Sequence, residues 1–430
     1  MKKKSLVVKN GLLVTVNPQM EILKADLLID NGRIVSIAPD IDSTNRDVFY
    51  ADDLIVVPGF VQTHVHLAQT LFRNSAEDLP LLDWLEQKIW PGEASLTPET
   101  LRLSALLSIG EFFKGGTTTI QDIGIVKNAH VLFETIAETG IRAVSSKMLM
   151  DSGDGPQIII EDTDQALTES LELLQRWHGY DNGRINYALA PRFVLSCSNQ
   201  LLKETAELAK KYHLAVHTHA SENKKEIELV KKRFGMSNIQ VFEYLGFTEV
   251  SLRLAHCVWT DEADRQILQK YDIKVLHCPS ANLKLGSGIA PIPDYLQRGI
   301  NVSLGADGAP CNNNLSIFME MRLAALIQKA LHGPQSMTAE TVFKLATIDG
   351  ARALGLDQEI GSIEIGKKAD LVFLKRNQVH SIPDENIYAK LIFSARETDV
   401  QHVMVDGQWV LKDRQLLTID ENEIIDKIKL

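Results

Sequence analysis

Two histidines one residue apart, His64 and His66, close the run Phe60-Val-Gln-Thr-His64-Val-His66. In an extended strand residues i and i+2 face the same way, so both imidazoles point to one place. Two converging imidazoles are what a first-row transition metal takes as ligands. His219, His256 and Asp307 close further apolar runs of the same kind. His64, His66, His219 and Asp307 then make a donor set of three imidazoles and one carboxylate. That set suits one divalent ion, zinc first and ferrous iron second. Such an ion lowers the pKa of a bound water from ~15.7 toward neutrality and makes it a nucleophile. Glu222 follows in His219-Ala-Ser-Glu222, placed to move that water's proton. It also opens a helical stretch, where a carboxylate favours the N-terminus, and the two roles are compatible. His217 shares the face of His219 but has no acid three residues on, so it ranks below it. His277, before Cys278-Pro279-Ser280, is a weaker candidate for lining the pocket. His130, His178, His213, His332, His380 and His402 read as surface or structural residues.

Residues at the ends of separate strands converge only if a fold gathers those ends. Apolar strand-like runs occur at 60–66, 117–123, 141–148, 184–190, 214–219, 252–256, 273–278 and 302–307. Segments of helical period separate them, among them 98–114, 199–212 and 261–270. Thr97 is the expected N-cap of the first, with Pro98 at its first helical position. Eight strands alternating with helices predict an α/β (β/α)8 TIM-like barrel, whose catalytic groups project from the C-terminal strand ends. No GxGxxG follows the first run, which argues against a dinucleotide-binding sheet. Residues 1–57 read instead as short strands at 5–8, 12–16, 25–30 and 33–37. Asn10-Gly11 and Asn31-Gly32 are the expected hairpin turns. The stretch from about 360 has the same character, with strand material at 361–366 and 367–374. A hairpin is expected around Asp406-Gly407. The expected division is a composite β-sandwich domain of 1–57 plus 360–430 and a metal-dependent hydrolase barrel of 58–359.

Composition narrows the partners. A net charge of −11 argues against nucleic acid or an anionic membrane, both of which select basic surfaces. The four cysteines form no C-x-x-C pair, so neither a zinc ribbon nor a redox motif is supported. Few cysteines in a long chain fit a reducing compartment. The lysines at 2–4 are followed at once by polar residues, which breaks any signal-like apolar core. No stretch approaches the ~20 apolar residues of a spanning helix. A cytoplasmic enzyme acting on a small molecule is the expectation, and a homo-oligomer is compatible with it.

These motifs resemble the amidohydrolase superfamily, in its branch of mononuclear aminohydrolases. The resemblance covers nearly the whole chain. It rests on Pro58-Gly-Phe60 through His66, His219-Ala-Ser-Glu222, Ala255-His-Cys257, Gly305-Ala-Asp-Gly308 and Gly361-Ser-Ile-Glu-Ile-Gly-Lys-Lys-Ala-Asp-Leu371. It implies that His64, His66, His219 and Asp307 bind the metal, that Glu222 moves protons, and that His256 orients the nucleophile together with Asp307. The binuclear branch ends its fourth strand with a bridging Lys. Here that position reads Ala190-Pro191-Arg192, so one metal is expected.

Phe72-Arg73, Glu77-Asp-Leu-Pro80 and Asp83-Trp-Leu85 are similar to deaminases of 5′-deoxyadenosine, methylthioadenosine and S-adenosylhomocysteine. So are Asn282-Leu-Lys-Leu-Gly-Ser-Gly-Ile-Ala-Pro291 and Asp307-Gly-Ala-Pro-Cys-Asn-Asn313. By that resemblance Asp83 takes ribose hydroxyls and Trp84 the purine face. Gln69 and Pro191-Arg192-Phe193 resemble guanine deaminase instead, where such residues contact the base. Triazine hydrolases share the metal shell and a similar ring electrophile. A catalytically dead binding protein of the same fold is the alternative outside enzymes. Such proteins typically lose metal ligands, and all four ligands and Glu222 are present here.

Overall fold

The structure is a computed structural model and describes residues 5–153 and 155–429. The lysines at 2–4, read above as no part of a signal segment, lie outside them. The chain opens with five strands: β1 (Leu6–Val14), β2 (Ile22–Asp30), β3 (Arg33–Ala38), β4 (Asp47–Tyr50) and β5 (Leu54–Pro58). The expected hairpin at Asn31-Gly32 joins β2 to β3, with φ of 49° and 81° at the two turn residues. The one expected at Asn10-Gly11 is absent. β1 runs straight through it as a bulge, with a register shift between Val8 and Gly11 against β2. Asn10 still takes a positive φ of 60°, but its N–H donates to buried Asp26 at 2.8 Å, which holds the bulge in the sheet.

The middle of the chain supplies β6 (Phe60–Val65), β7 (Thr117–Asp122), β8 (Arg142–Ser145), β9 (Met148–Leu149), β10 (Ile185–Tyr187) and β11 (Ala190–Pro191). β12 (Val216–Ala220), β13 (Leu252–His256), β14 (Lys274–His277) and β15 (Val302–Leu304) follow. Two expected strands, 141–148 and 184–190, each break in two. At the first break the Lys147 N–H turns to the Tyr187 hydroxyl, at 3.3 Å, and leaves the ladder. β6, β7, β8 and β10 form one parallel sheet, and β12 to β15 another. Single parallel bridges, Val65 to Asp307 and Leu189 to Val216, connect the two sheets at both seams. The result is a TIM-barrel-like α/β fold. The helix Pro98–Lys114 begins as expected: Thr97 accepts from the Thr100 N–H in a capping box, with Pro98 next.

The chain closes with β16 (Leu371–Lys375), β17 (Val400–Val405), β18 (Gln408–Lys412) and β19 (Gln415–Leu416). The hairpin at Asp406-Gly407 is present. The stretch 361–366, expected as a strand, is irregular instead. Gly361 and Gly366 take φ of 88° and 94°, outside the range of a regular ladder. Strands from both ends pair in one nine-stranded sheet, β19-β18-β17-β16-β5-β1-β2-β3, with β4 also on β1. This sheet meets the N-terminal ends of the barrel strands through buried Arg142 at the start of β8. Its guanidinium donates to both oxygens of Asp370, at 2.7 and 2.9 Å. No helix among the described residues is long and apolar enough to cross a membrane.

Candidate active site

The C-terminal strand ends bring His64, His66, His219, His256 and Asp307 together, as expected. β6 delivers His64, with His66 just beyond it. The chain leaving β15 comes to β6 through a hydrogen bond from the Asp307 N–H to the His64 carbonyl, at 3.0 Å. Gly305 permits this approach, since a Cβ there would lie 2.5 Å from the same carbonyl. Asp307 and His256 both sit at positive φ, 64° and 73°. That conformation is costly for non-glycine residues and concentrates at functional sites.

Asp307 Oδ1 lies 3.3 Å from His66 Nε2 and 3.5 Å from His64 Nε2. His66 Nε2 lies 3.3 Å from His219 Nε2. The outward nitrogens show which lone pairs face in. His219 Nδ1 donates to the Arg192 carbonyl at 2.6 Å, and His256 Nδ1 donates to Asn282 Oδ1 at 2.8 Å. The inward Nε2 atoms therefore present lone pairs to one another and to a carboxylate. His64 Nε2 and His256 Nε2 are buried without a hydrogen-bond partner among the described residues. Lone pairs crowded at this distance repel unless a cation lies among them, and three nitrogens with one carboxylate suit a divalent ion. The donor set fits the metal that the sequence implies.

Electrostatics follow from burial. Burial pushes the imidazoles of His66 and His219 well below the usual histidine range. Burial alone would raise Asp307, but the close approach of His64, with His66 and His256, holds it far below a normal carboxylate. Glu222 goes the other way: burial, then the charge of Asp307, push it up to about 8. Its Oε2 lies 3.5 Å from His256 Nε2, and its Oε1 accepts from the Ser287 hydroxyl at 3.2 Å. Glu226, one helical turn on, accepts the Glu222 N–H at 2.8 Å and is itself pushed up to about 7 by burial.

These groups form the floor of a cavity of about 30 Å³ whose walls include Gln69, Trp84, Arg192 and Phe193, with Leu81, Leu85 and Leu285. Trp84, expected to meet the purine face, lines the cavity. Asp83, beside it, is exposed and does not line the cavity, because the short helix Leu81–Trp84 turns it away from the indole. Arg192 lines the cavity, but its guanidinium is engaged: Nη1 donates to Glu93 at 2.6 Å. Gln69 Nε2 donates to the same carboxylate at 2.9 Å, and Gln69 Oε1 is left buried without a partner among the described residues. Glu93 is 3 % exposed and was not singled out from the sequence. Its one signal is an acid two residues after the apolar Ile89-Trp90-Pro91 stretch. Glu226 and Asn282 were also missed as site residues. His277 is buried but is not among the residues lining the cavity.

The sequence profile described as "Amidohydrolase family" matches residues 55–410. A 5′-deoxyadenosine deaminase of Methanothermobacter thermautotrophicus is 40% identical over 373 residues, 86% of this chain and 85% of that one. A 5-methylthioadenosine/S-adenosylhomocysteine deaminase of Desulforudis audaxviator is 39% identical over 376 residues, 87% and 85% of the two chains. Among solved structures, a zinc-bound adenosine deaminase from Xanthomonas campestris superposes with a TM-score of 0.92 at 30% identity, covering 99% of this chain and 97% of that one. A profile spanning most of the chain, relatives near 40% identity over most of their own length, and a donor set at the mouth of a TIM-like barrel agree: this chain belongs to the amidohydrolase family.

Proposed function

We propose that this chain is a hydrolytic deaminase that replaces the 6-amino group of a 5′-modified adenosine with oxygen and releases ammonia. The 5′-modified substrates are 5′-deoxyadenosine, methylthioadenosine and S-adenosylhomocysteine. The carrying observation is Glu222: a buried carboxyl whose Oε2 is 3.5 Å from His256 and whose ordinary range is shifted up to about 8, beside a four-ligand donor set. His64, His66, His219 and Asp307 are the residues that would hold one divalent ion, and zinc suits them. When bound, the ion supplies an acidified water. Glu222 takes the proton of the attacking water and delivers it to the ring nitrogen next to the carbon attacked. A second proton passes through Glu222 to the departing amine, so one water is consumed and one ammonia leaves. His256 and Asp307 orient the attacking oxygen. Trp84 offers a flat apolar wall to the purine.

The names of the two relatives support the 5′-modified adenosine class. A second reading, guanine deaminase, is favoured by one observation: Gln69, Arg192 and Phe193 all line the cavity. Ammonia release measured over 5′-deoxyadenosine, methylthioadenosine, S-adenosylhomocysteine, guanine and a triazine decides between them. The first reading expects the 5′-modified nucleosides to have the highest kcat/KM, and guanine turned over faster than all of them would replace it. For the rest of the chain, the pairing of strands from both ends in one sheet supports treating 1–57 and 360–430 as one composite β domain beside a hydrolase barrel of 58–359.

A further inference from the structure

His217-Thr-His219 repeats on β12 the spacing of His64 and His66, yet its first histidine faces a different atom. His217 Nε2 lies 2.8 Å from His64 Nδ1, and the side chain is fully buried. An imidazole carries its two nitrogens on different edges of the ring. A group on Nδ1 of His64 is therefore set apart from the centre that His64 Nε2 addresses with Asp307. His217 cannot join the donor set through that nitrogen and acts on His64 instead.

The direction of the hydrogen bond follows from the metal chemistry. A neutral His64 that binds an ion through Nε2 must keep its proton on Nδ1. That proton is buried and requires an acceptor. His219 meets the same requirement with the Arg192 carbonyl, an acceptor that cannot reverse. The partner of His64 is another imidazole, which accepts only when its own proton is on Nδ1; that nitrogen has no partner among the described residues, so it is an ion on His64 Nε2 that selects this tautomer of the pair. If His217 carried its proton on Nε2, the His64 proton would be driven to its own Nε2, where it would occupy the lone pair the ion needs. We propose that His217 is a positioning residue for the metal centre, accepting the Nδ1 proton of His64 and holding its ring in the orientation that binds through Nε2. This rests on the metal reading of the site above.

The test compares zinc affinity, by chelator competition, in wild type, His217→Gln and His217→Phe. Gln places an acceptor oxygen near the Nε2 position; Phe keeps the ring volume and removes the acceptor. Loss of a ligand's hydrogen-bond partner typically weakens metal affinity 10–100-fold. The expected result is a loss of about that size in His217→Phe and near-wild-type affinity in His217→Gln, with both variants folded by circular dichroism. Equal affinity of His217→Phe and wild type, or equal losses in Phe and Gln, would overturn the proposal while leaving the metal site intact. Failure of wild type to bind zinc would remove the metal reading and the proposal with it. Should His217→Phe not fold, nitrogen-15 spectra of zinc-loaded wild type carry the test. A proton on His64 Nδ1 coupled to His217 Nε2 supports the assignment, and a proton on His217 Nε2 overturns it.

Discussion

A carboxyl group that moves two protons in one cycle must hold a proton near neutral pH and give it up again. Glu222 meets that demand through burial and the nearby charge of Asp307, with the Ser287 hydroxyl on its other oxygen. Glu222→Gln keeps the shape and cannot transfer a proton, so turnover should fall by about 10²–10⁴-fold while the metal content stays near one equivalent. Metal analysis and steady-state kinetics on one preparation check both halves, and a metal-replete variant with normal turnover would remove Glu222 from the chemistry. Asp83 and Glu93 form a second contrast. Asp83 is exposed, so Asp83→Ala should change stability by no more than about 0.5 kcal/mol. Glu93 is buried against Arg192, and Glu93→Ala leaves that guanidinium without its counter-charge, a loss of about 3–5 kcal/mol. Urea midpoints of both variants test the ranking. The resemblance singled out Asp83 for the ribose hydroxyls; in the structure Asp83 is exposed outside the cavity wall, and the buried acid of this segment is Glu93, which holds Arg192 and Gln69. The cluster of His64, His66, His219, His256 and Asp307 was legible because strand ends and His-x-His spacing mark it. Glu226 and Asn282 were not, because their roles arise from helices that meet the site from elsewhere in the chain.

Elements around the site differ in how firmly they are held. Leu81–Trp84 and the π-turn at Leu85–Ile89 supply Leu81, Trp84 and Leu85 to the cavity wall, and Trp90–Ser95 follows them. π-turns recur at functional positions. Leu81, Trp84, Leu85, Ile89 and Trp90 belong to an apolar cluster separate from the main core, which they share with strand-end residues such as Ile123, Met148, Ala190 and Cys278. Because Leu81, Trp84 and Leu85 all wall the cavity, we expect this segment to act as a lid over a bound nucleoside. Hydrogen exchange with and without 5′-deoxyadenosine should show ligand-dependent change concentrated in 79–95, and uniform exchange there would reject the lid. On the far side, Glu320 ties two strand-end loops. It accepts from the Ser280 N–H at 3.1 Å and from Asn312 Nδ2 at 2.9 Å, and burial pushes it up to about 7. Between pH 4.5, its ordinary value, and 7 the fold keeps a proton that the unfolded chain releases. Its contribution to stability therefore falls as pH rises through that window. Glu320→Gln has no such proton, so the stability of wild type relative to this variant should drop between pH 4.5 and 7. A constant difference between the two urea curves across that range would show that Glu320 does not titrate there.

At the scale of the whole molecule, the barrel was easier to read than the sheet that flanks it. Each barrel strand is a short apolar run between helices with their own caps, as Thr97 and Asp261 show, so local signals agree with the global fold. The flanking sheet is assembled from strands more than three hundred residues apart, such as β5 on β16, and its registry depends on partners that no local spacing reveals. That is why Asn10-Gly11 read as a turn and proved to be a bulge, and why 361–366 read as a strand. The two parts meet at Arg142. Its guanidinium donates to both Asp370 oxygens, Asp370 also accepts the Asp406 N–H at 2.7 Å, and Lys368 reaches Asp406 at 2.9 Å. Arg142 begins a barrel strand, at the face opposite the proposed metal ligands, where buried charge serves stability and not catalysis. A buried pair broken on one side is costly, so Asp370→Leu should lower the unfolding free energy by about 3–5 kcal/mol. Replacing Arg142 and Asp370 together by apolar residues should recover much of that loss, since the charge left unpaired in the single variant is then gone. Throughout, zinc affinity per folded molecule should stay at the wild-type value, because no ligand touches this network. A double variant as unstable as the single one would show that the interface depends on the ion pair itself and not on the avoidance of an orphaned charge.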